Sequence, residues 1–187
     1  MRLFALSLLT LIRCANAQVS PEVAAKNAIQ QNYDRLLKGL PSIEIVRVKR
    51  DSDPISEATR GVITADELTV RIESTLKRFR LPILPLSRTP TNSYQLRENV
   101  GNLVLDVKST ASINNNSRTY TSFELRLTLN EPAVLKRDPS ILVGTMLWES
   151  TQTIDAPFLD AQEFLRAVES LAQEFALSYL SANQPKR

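Results

Sequence analysis

The spacing of apolar residues predicts a helix near the middle of this chain. Four large apolar side chains recur at intervals of four, four and three, which places them on one helical face: Leu68, Ile72, Leu76 and Phe79. The segment opens with a capping box, in which the Thr64 hydroxyl accepts from the Glu67 amide and the Glu67 carboxylate reaches back. Pro82 ends the pattern. We therefore predict a helix over residues 64–79.

Two apolar segments flank this helix and make it part of a β-α-β unit. Residues 43–48 are rich in β-branched side chains and lie between two turn-forming segments. Residues 82–84 are a shorter apolar run that begins at Pro82. If the two strands are parallel, the connection between them should be right-handed.

Near-strict alternation of apolar and polar residues predicts an antiparallel hairpin from residues 103–108 and 120–129. The Asn-Asn-Asn-Ser run at 114–117 supplies its turn. A further strand is predicted at 141–154. Because the middle of this strand, 142–148, is apolar on both faces, we expect it to be central in the sheet or covered by helices.

Helices are also predicted at both ends of the domain. Residues 21–38 follow an N-cap at Ser20 with proline in the first helical position. The apolar stripe of this first helix is rich in alanine, so the helix either lies close against the sheet or is loosely attached. A second capping box, from Asp160 to Glu163, starts the last helix. The polar residues 183–187 are expected to fray.

Together these elements predict an α+β fold. Its mixed sheet has four to five strands, starts with the β-α-β unit, continues with the antiparallel hairpin, and carries two to three helices mainly on one face. We predict one domain over residues 18–184, followed by a disordered tail at 185–187.

The first seventeen residues have the pattern of a secretory signal peptide. A basic residue precedes an apolar run at 3–12, and Ala15-Asn16-Ala17 forms a small-x-small cleavage site. The apolar run is short of the roughly 20 residues that span a bilayer. We therefore predict cleavage after Ala17, a periplasmic or secreted protein, and no transmembrane span once the signal is removed. A retained N-terminal anchor is the alternative.

The only cysteine, Cys14, lies in this N-terminal segment. The sequence Leu-Ile-Arg-Cys looks like a lipoprotein box, but those boxes have a small residue where Arg13 stands, so lipidation of Cys14 is the lesser reading. Removal of the segment takes away Arg2 and Arg13, which lowers the formal net charge from +3 to +1. This near-neutral charge gives no nucleic-acid signature.

The residue types that are missing limit the possible chemistry. The chain has no histidine, and the predicted mature part has no cysteine, which excludes Ser-His-Asp and Cys-His catalysis and the usual zinc sites. With four glycines in all, there is no dinucleotide fingerprint and no phosphate-binding loop. We therefore predict no cofactor and no metal, and we assign no catalytic residue.

Three groups of side chains remain as candidates. Carboxylates on neighbouring strands, Asp106 and Glu124 with Glu149 beyond, form either an acid/base pair or cross-strand ion pairs. There are two basic groups: Arg47, Lys49 and Arg50, and Lys77, Arg78 and Arg80. They either bind anionic head groups or polysaccharide, or are surface charges that interact with solvent and with helix C-termini. The aromatic residues of the last helix are either core or the lining of a groove for an acyl chain or a partner helix: Phe164, Phe175 and Tyr179.

Two long irregular segments, 51–63 and 87–101, are the first places where we expect a functional site, because loops of this length exceed what packing requires. Whether they form a site is open at this point.

The chain resembles a family of exported bacterial proteins of unknown function. In that family a "threonine, acid, leucine" helix leads into a short apolar strand through a small residue and glycine. The segment Thr64-Ala65-Asp66-Glu67-Leu68, followed by residues 81–84, is similar to this pattern. This sequence has Phe79-Arg80 where the family has the small residue and the glycine. The resemblance also covers the later strands and the end of the last helix. It implies a small periplasmic α+β domain and carries no functional residue over.

The sequence thus favours an exported cell-envelope protein that acts as a non-catalytic binding or accessory module for a protein partner or a lipid-like ligand. The alternative is a carboxylate-dependent periplasmic hydrolase. The identity of the ligand or partner, the pathway and the oligomeric state do not follow from the sequence.

Overall fold

The computed structural model describes residues 20–46, 63–84, 100–114, 117–155 and 160–184. These residues form a mixed four-stranded sheet with three helices, which confirms the predicted α+β class. The elements in chain order are α1 (Pro21–Leu37), β1 (Ser42–Val46), α2 (Ala65–Arg78), β2 (Val100–Asn114), β3 (Ser117–Leu135), β4 (Asp138–Asp155) and α3 (Ala161–Asn183).

The strands lie in the order β1-β2-β3-β4, with β1 parallel to β2 and the other two pairs antiparallel. On the other side of β1, Ile43 and Ile83 form a parallel bridge, in which the Ile43 amide donates to Pro82 O at 2.9 Å and the Leu84 amide donates to Ile43 O at 2.8 Å. The β-α-β arrangement is therefore confirmed. Residues 82–84 contribute this one bridge rather than a full strand, because proline cannot donate to a ladder.

The predicted helix caps are present at both later helices. The Thr64 hydroxyl accepts from the Glu67 amide at 3.2 Å, as the capping box requires. At α3 the carboxylate of Asp160 accepts from the Gln162 amide at 3.1 Å, one residue earlier than the capping box predicts. Both caps satisfy amide groups that the first helical turn leaves without intrahelical partners.

The core lies between one face of the sheet and helices α2 and α3. Phe123 of β3 meets Phe164 edge to face, with ring centroids 6.0 Å apart, and Trp148 of β4 meets Phe175 at 5.1 Å. The aromatic residues of α3 are thus core, as the first of the two readings predicts. The inward positions of the central strands are all buried: Leu103, Leu105, Val107, Leu125, Leu127 and Leu129.

Helix α1 is attached by its last turns only. Residues 20–32 are exposed, whereas Leu37 is fully buried. Of the two arrangements that the Ala-rich stripe allows, the structure shows the loose one. The expected fraying of residue 183 is wrong, because Asn183 is the last residue of α3 and bonds to the chain segment that follows α1.

Candidate functional site

The end of the sheet formed by β3 and β4 extends beyond the core as a two-stranded ribbon, which we call the β3–β4 arm (residues 130–146). β2 pairs with β3 only as far as the Asn102–Asn130 pair, so beyond Asn130 the arm strands pair, in the described part of the chain, with each other alone. The last fully packed positions before it are Leu129 and Trp148. The arm therefore lies outside the layer of α2 and α3.

Large apolar side chains of the arm are exposed. Val134 is 47% exposed, Ile141 42% and Met146 50%. Soluble proteins commonly expose single apolar side chains, but three on one short ribbon are a concentration that points to an interaction surface.

A β-bulge sets which face these side chains occupy. The register passes from Leu129 opposite Trp148 to Asn130 opposite Met146, so Leu147 is the extra residue. Both Leu147 and Trp148 are buried, and Met146 then points to the sheet face opposite the helices. Val134 lies on this same face, since side chains alternate along β3.

The prediction that the apolar run 142–148 in β4 is central or covered by helices holds only at its end, where Leu147 and Trp148 are buried and Phe175 of α3 packs on Trp148. β4 is at the edge of the described sheet, and residues 144–146 are exposed. The prediction follows from the pattern, because apolar residues on both faces of a strand are typical of burial. In the described part of the chain no helix covers this segment, because α3 packs against β4 at Trp148 and further along towards Asp155.

Pro132 is the sequence signal that could have identified the arm. It lies in β3 opposite Gly144, at a position where β3 no longer pairs with β2. Proline within a strand pattern indicates an edge position, because it cannot donate to a second neighbour. Read together with the apolar run in β4, it would have predicted an exposed ribbon instead of a central strand.

Helix α1 lies at the edge of β4 where the arm begins. The Tyr33 ring packs against Trp148 with centroids 6.1 Å apart, and its hydroxyl donates to Glu149 O at 3.2 Å. Burial raises the pKa of Tyr33, and the carboxylates of Glu149 and Glu174 raise it further, against the lowering effect of the hydrogen bond. Tyr33 thus occupies the edge of β4 at Glu149.

The three candidate carboxylates share the sheet face opposite the helices. Asp106 lies directly across from Arg126, and Glu149 lies across from Thr128. Glu124 Oε1 is 3.6 Å from Arg126 Nη2 and 3.8 Å from Lys108 Nζ.

These distances favour ion pairing over acid/base chemistry. Two cations flank Glu124, which matches the cross-strand ion pairs that the sequence allows. Glu149 is separated from β2 by the whole width of β3, roughly 10 Å. Of the three candidate carboxylates in the described residues, Glu124 is thus engaged in ion pairs, and Glu149 lies across the sheet from Asp106.

The basic residues at the end of α2 are mostly engaged within the fold. Arg78 and Arg71 both pair with Glu169 of α3, and Lys77 pairs with Glu73. Arg80 follows the helix with a φ of 58°. The other basic group, Arg47, Lys49 and Arg50, lies outside the described residues, as do most of the segments 51–63 and 87–101. Of these segments, Ile63 is buried, and Val100 and Gly101 belong to β2.

Among the described residues, no group of three or more His, Cys, Asp or Glu side chains could hold a metal ion. None of the described helices combines the length and the apolar composition needed to cross a membrane.

No protein-family model matches this chain, and no curated protein matches it. The resemblance to exported bacterial proteins therefore stays a prediction.

Proposed function

We propose that this chain is an exported cell-envelope accessory protein that binds a protein partner through the β3–β4 arm. The single observation that carries the proposal is the arm itself, a ribbon with apolar residues on both faces that the described part of the chain leaves uncovered. The N-terminal pattern of a signal peptide supports the location in the envelope. The resemblance to exported bacterial proteins of unknown function agrees with it.

The exposed side chains of the arm give the partner an energetic reason to bind. Full burial of a Val, Ile or Met side chain stabilises by about 1.5–3 kcal/mol. Because Val134, Ile141 and Met146 are each about half exposed, a partner that covers them would gain about half of this energy from each side chain. The three together would contribute about 3 kcal/mol. Association costs more than this, so the partner must also contact the backbone edges or both faces of the ribbon.

The shape of the arm favours a protein partner over a lipid-like ligand. A ribbon presents two rows of backbone groups along its edges, and these are recognised best by another extended chain, whose amides and carbonyls complete the ladder. An acyl chain cannot satisfy such groups. The experiment must therefore distinguish binding of a protein from binding of a lipid.

The proposal is tested by placing a photo-crosslinking amino acid at Val134 and at Met146 in the full chain, expressed in its own cell envelope. We expect one discrete protein adduct of the same mass from both positions. The matched control is Val70 on α2, which is 61% exposed but stands alone on a helix surface, and it should give no such adduct. Adducts at Val70 equal to those at the arm would contradict the proposal.

Mass spectrometry of the same preparation identifies the N-terminus and the nature of the adduct. A chain that begins at Gln18 supports export with cleavage. An adduct with a lipid in place of a protein would replace the protein partner by a lipid-like ligand.

A further inference from the structure

The part of β4 that lies on the domain, beyond the arm, has a free edge. Along residues 148–155, β4 pairs with residues 122–129 of β3 without a register shift. In the described part of the chain no strand pairs with its other side, since β4 is the last strand in the sheet order. The side chains of Thr151, Thr153 and Asp155 are exposed. This segment is therefore a regular strand with one side unpaired.

One hydrogen bond shows which backbone groups point out of this edge. The Glu149 carbonyl oxygen accepts from the Tyr33 hydroxyl at 3.2 Å, so the backbone groups of Glu149 point away from β3. Along an antiparallel pair, residues that bond to the neighbouring strand alternate with residues whose groups point away. Because the register is regular here, the backbone groups of Thr151, Thr153 and Asp155 point outward as well.

The segment between Glu149 and Asp155 lacks the usual protection of an edge strand. Natural edge strands carry charges, prolines or bulges. Residues 150–154 contain no charged residue and no proline, and no register shift interrupts them. Helix α1 covers the edge at Glu149 through Tyr33, but residues 20–32 of α1 are exposed. The outward backbone groups beyond Glu149 are therefore accessible to another extended chain.

Carboxylates border this free edge on both faces of the sheet. Glu149 and Asp155 lie at its two ends on the face opposite the helices, about 20 Å apart along the strand. On the helix face, Glu174 of α3 accepts from the Ser150 hydroxyl at 2.8 Å. The surroundings of the edge are therefore acidic, which favours a basic partner.

The nearest cation across the β3–β4 pair does not offset these carboxylates, because it has a partner of its own. Arg126 lies opposite Thr151 on β3, and its Nη2 is 3.6 Å from Glu124 Oε1. The charge left at the edge is that of Glu149, Asp155 and Glu174.

The same charges disfavour a second copy of this chain as the added strand. An antiparallel pair that used the whole segment would be centred on Gln152. It would place Glu149 of each copy beside Asp155 of the other, where like charges repel. The occupant that fits is an extended polypeptide with lysine or arginine side chains, which supplies both the backbone groups and the opposite charge.

We propose that the edge of β4 from Thr151 to Asp155 binds an extended, basic segment of a partner protein, which adds to the sheet as a further strand beside β4. The inference goes beyond the proposed function, because this site lies on the domain and not on the β3–β4 arm. Backbone bonds to Thr151 and Thr153 hold the segment, as in other sites of strand addition. The carboxylates of Glu149, Glu174 and Asp155 select a basic over an acidic sequence.

Hydrogen exchange of the purified full chain, followed by NMR, tests the site directly. The probes are two heptapeptides, one alternating lysine with valine and one alternating glutamate with valine. In the free chain we expect fast exchange at the amides of Thr151 and Thr153 and slow exchange at Gln152, whose amide points to β3. The lysine peptide at saturation should slow exchange at Thr151 and Thr153 at least about tenfold, and the glutamate peptide should leave it unchanged.

A proline variant tests the backbone contact. Thr151→Pro removes one outward amide and leaves the ladder with β3 in place, so we expect the dissociation constant of the lysine peptide to rise at least about tenfold. Thr151→Ala is the matched control, because it keeps the amide, and its dissociation constant should stay within about twofold. Thr153→Pro repeats the test at the next outward amide, and circular dichroism verifies that the variants fold.

Charge reversal tests the selection of a basic segment. In the double variant Glu149→Lys with Asp155→Lys, we expect the glutamate peptide to bind in preference to the lysine peptide. Equal protection of Thr151 and Thr153 by the two peptides in the original chain would overturn the assignment of a basic partner.

Three other results would overturn the inference. They are an absence of protection by the lysine peptide, equal affinities of the Thr151→Pro and Thr151→Ala variants, and protection in the free chain that grows with protein concentration, which would place a second copy at the edge. None of these results bears on the proposed function, which the adducts at Val134 and Met146 decide.

Discussion

The side chain of Asn183 accepts a hydrogen bond from the backbone amide of Gly39, with Gly39 N and Asn183 Oδ1 2.9 Å apart. The same side chain donates from Nδ2 to Leu37 O at 3.1 Å and to Tyr179 O at 2.9 Å. The last residue of α3 therefore holds the end of α1. Since residues 20–32 are exposed, this contact, with Tyr33 and Leu37, largely determines whether α1 stays on the domain.

Asn183→Ala should loosen α1 selectively. The substitution removes three hydrogen bonds at a partly exposed position, and we expect a loss of about 1 kcal/mol in the free energy of unfolding. Amide hydrogen exchange should show faster exchange in α1, with little change in β2 and β3. Ser181→Ala, at an exposed position of the same helix, is the control. Equal protection of α1 in both variants would show that Asn183 does not hold it.

Gly39→Ala should destabilise the same junction through the backbone. Gly39 has a φ of +78°, a conformation that costs an L-residue about 1–2 kcal/mol. No atom lies within 4 Å of a Cβ built there, so the effect comes from the conformation and not from a clash. Denaturant unfolding should show a loss of about 1 kcal/mol with an unchanged slope. A neutral result would mean that the segment relaxes to a negative φ.

Arg80→Gly should have the opposite effect. The Leu81 amide donates to Leu76 O at 3.2 Å and the Arg80 amide to Lys77 O at 2.9 Å, which forms a Schellman motif with Arg80 in the left-handed position. Glycine is favoured there, so we expect a gain of about 0.5–1 kcal/mol in thermal or denaturant unfolding. Arg80→Ala is the control and should give no such gain, since it keeps a Cβ. Equal stability of all three proteins would contradict this account.

Leu171→Asp should unfold the protein. Leu171 is buried in α3, and a carboxylate there has no charge partner in the core. Leu125→Asp in the middle of β3 should do the same. Leu177→Asp is the matched control on the same helix, because Leu177 is 59% exposed. Circular dichroism should show no cooperative melting for the first two variants and near-normal melting for the third; soluble, cooperatively melting Leu171→Asp protein would count against the described core.

The stability of the protein should fall at alkaline pH. Burial raises the pKa of Tyr179, whose hydroxyl donates to Leu40 O at 2.7 Å, and burial is also the main cause of the raised pKa of Tyr33. A raised pKa in the folded state means that the unfolded tyrosines ionise first. The stabilising contribution is complete below about pH 10 and is lost as the pH rises through the folded-state values.

Thermal melting across this pH range checks the effect. The double variant Tyr33→Phe with Tyr179→Phe should be less stable at neutral pH, because it leaves the Leu40 carbonyl without its buried donor. It should also lose less stability above about pH 10 than the original chain. Parallel curves for the two proteins would assign the alkaline loss to other groups.

Local sequence signals determined most of the elements. The helix of residues 64–79, its cap at Thr64, and the alternation in β2 and β3 could all be predicted because each depends on neighbours a few residues apart. The buried faces followed from the same periodicity, as the packing of Phe164 and Phe175 shows. Even the β-α-β unit could be predicted, since its two strands carry their own turn signals.

Only the tertiary structure decided which elements have neighbours. The sequence of β4 shows a strand with apolar residues on both faces, but the number of strands and helices beside it depends on pairings between distant segments. The edge position of β4, the end of β2 pairing at Asn130, and the packing of α2 and α3 on the other face of the sheet together leave Val134 and Met146 exposed. The contact of Asn183 with Gly39 joins residues 144 positions apart, and no local pattern specifies it. Periodicity records which side of an element is apolar, whereas the fold alone determines what covers it.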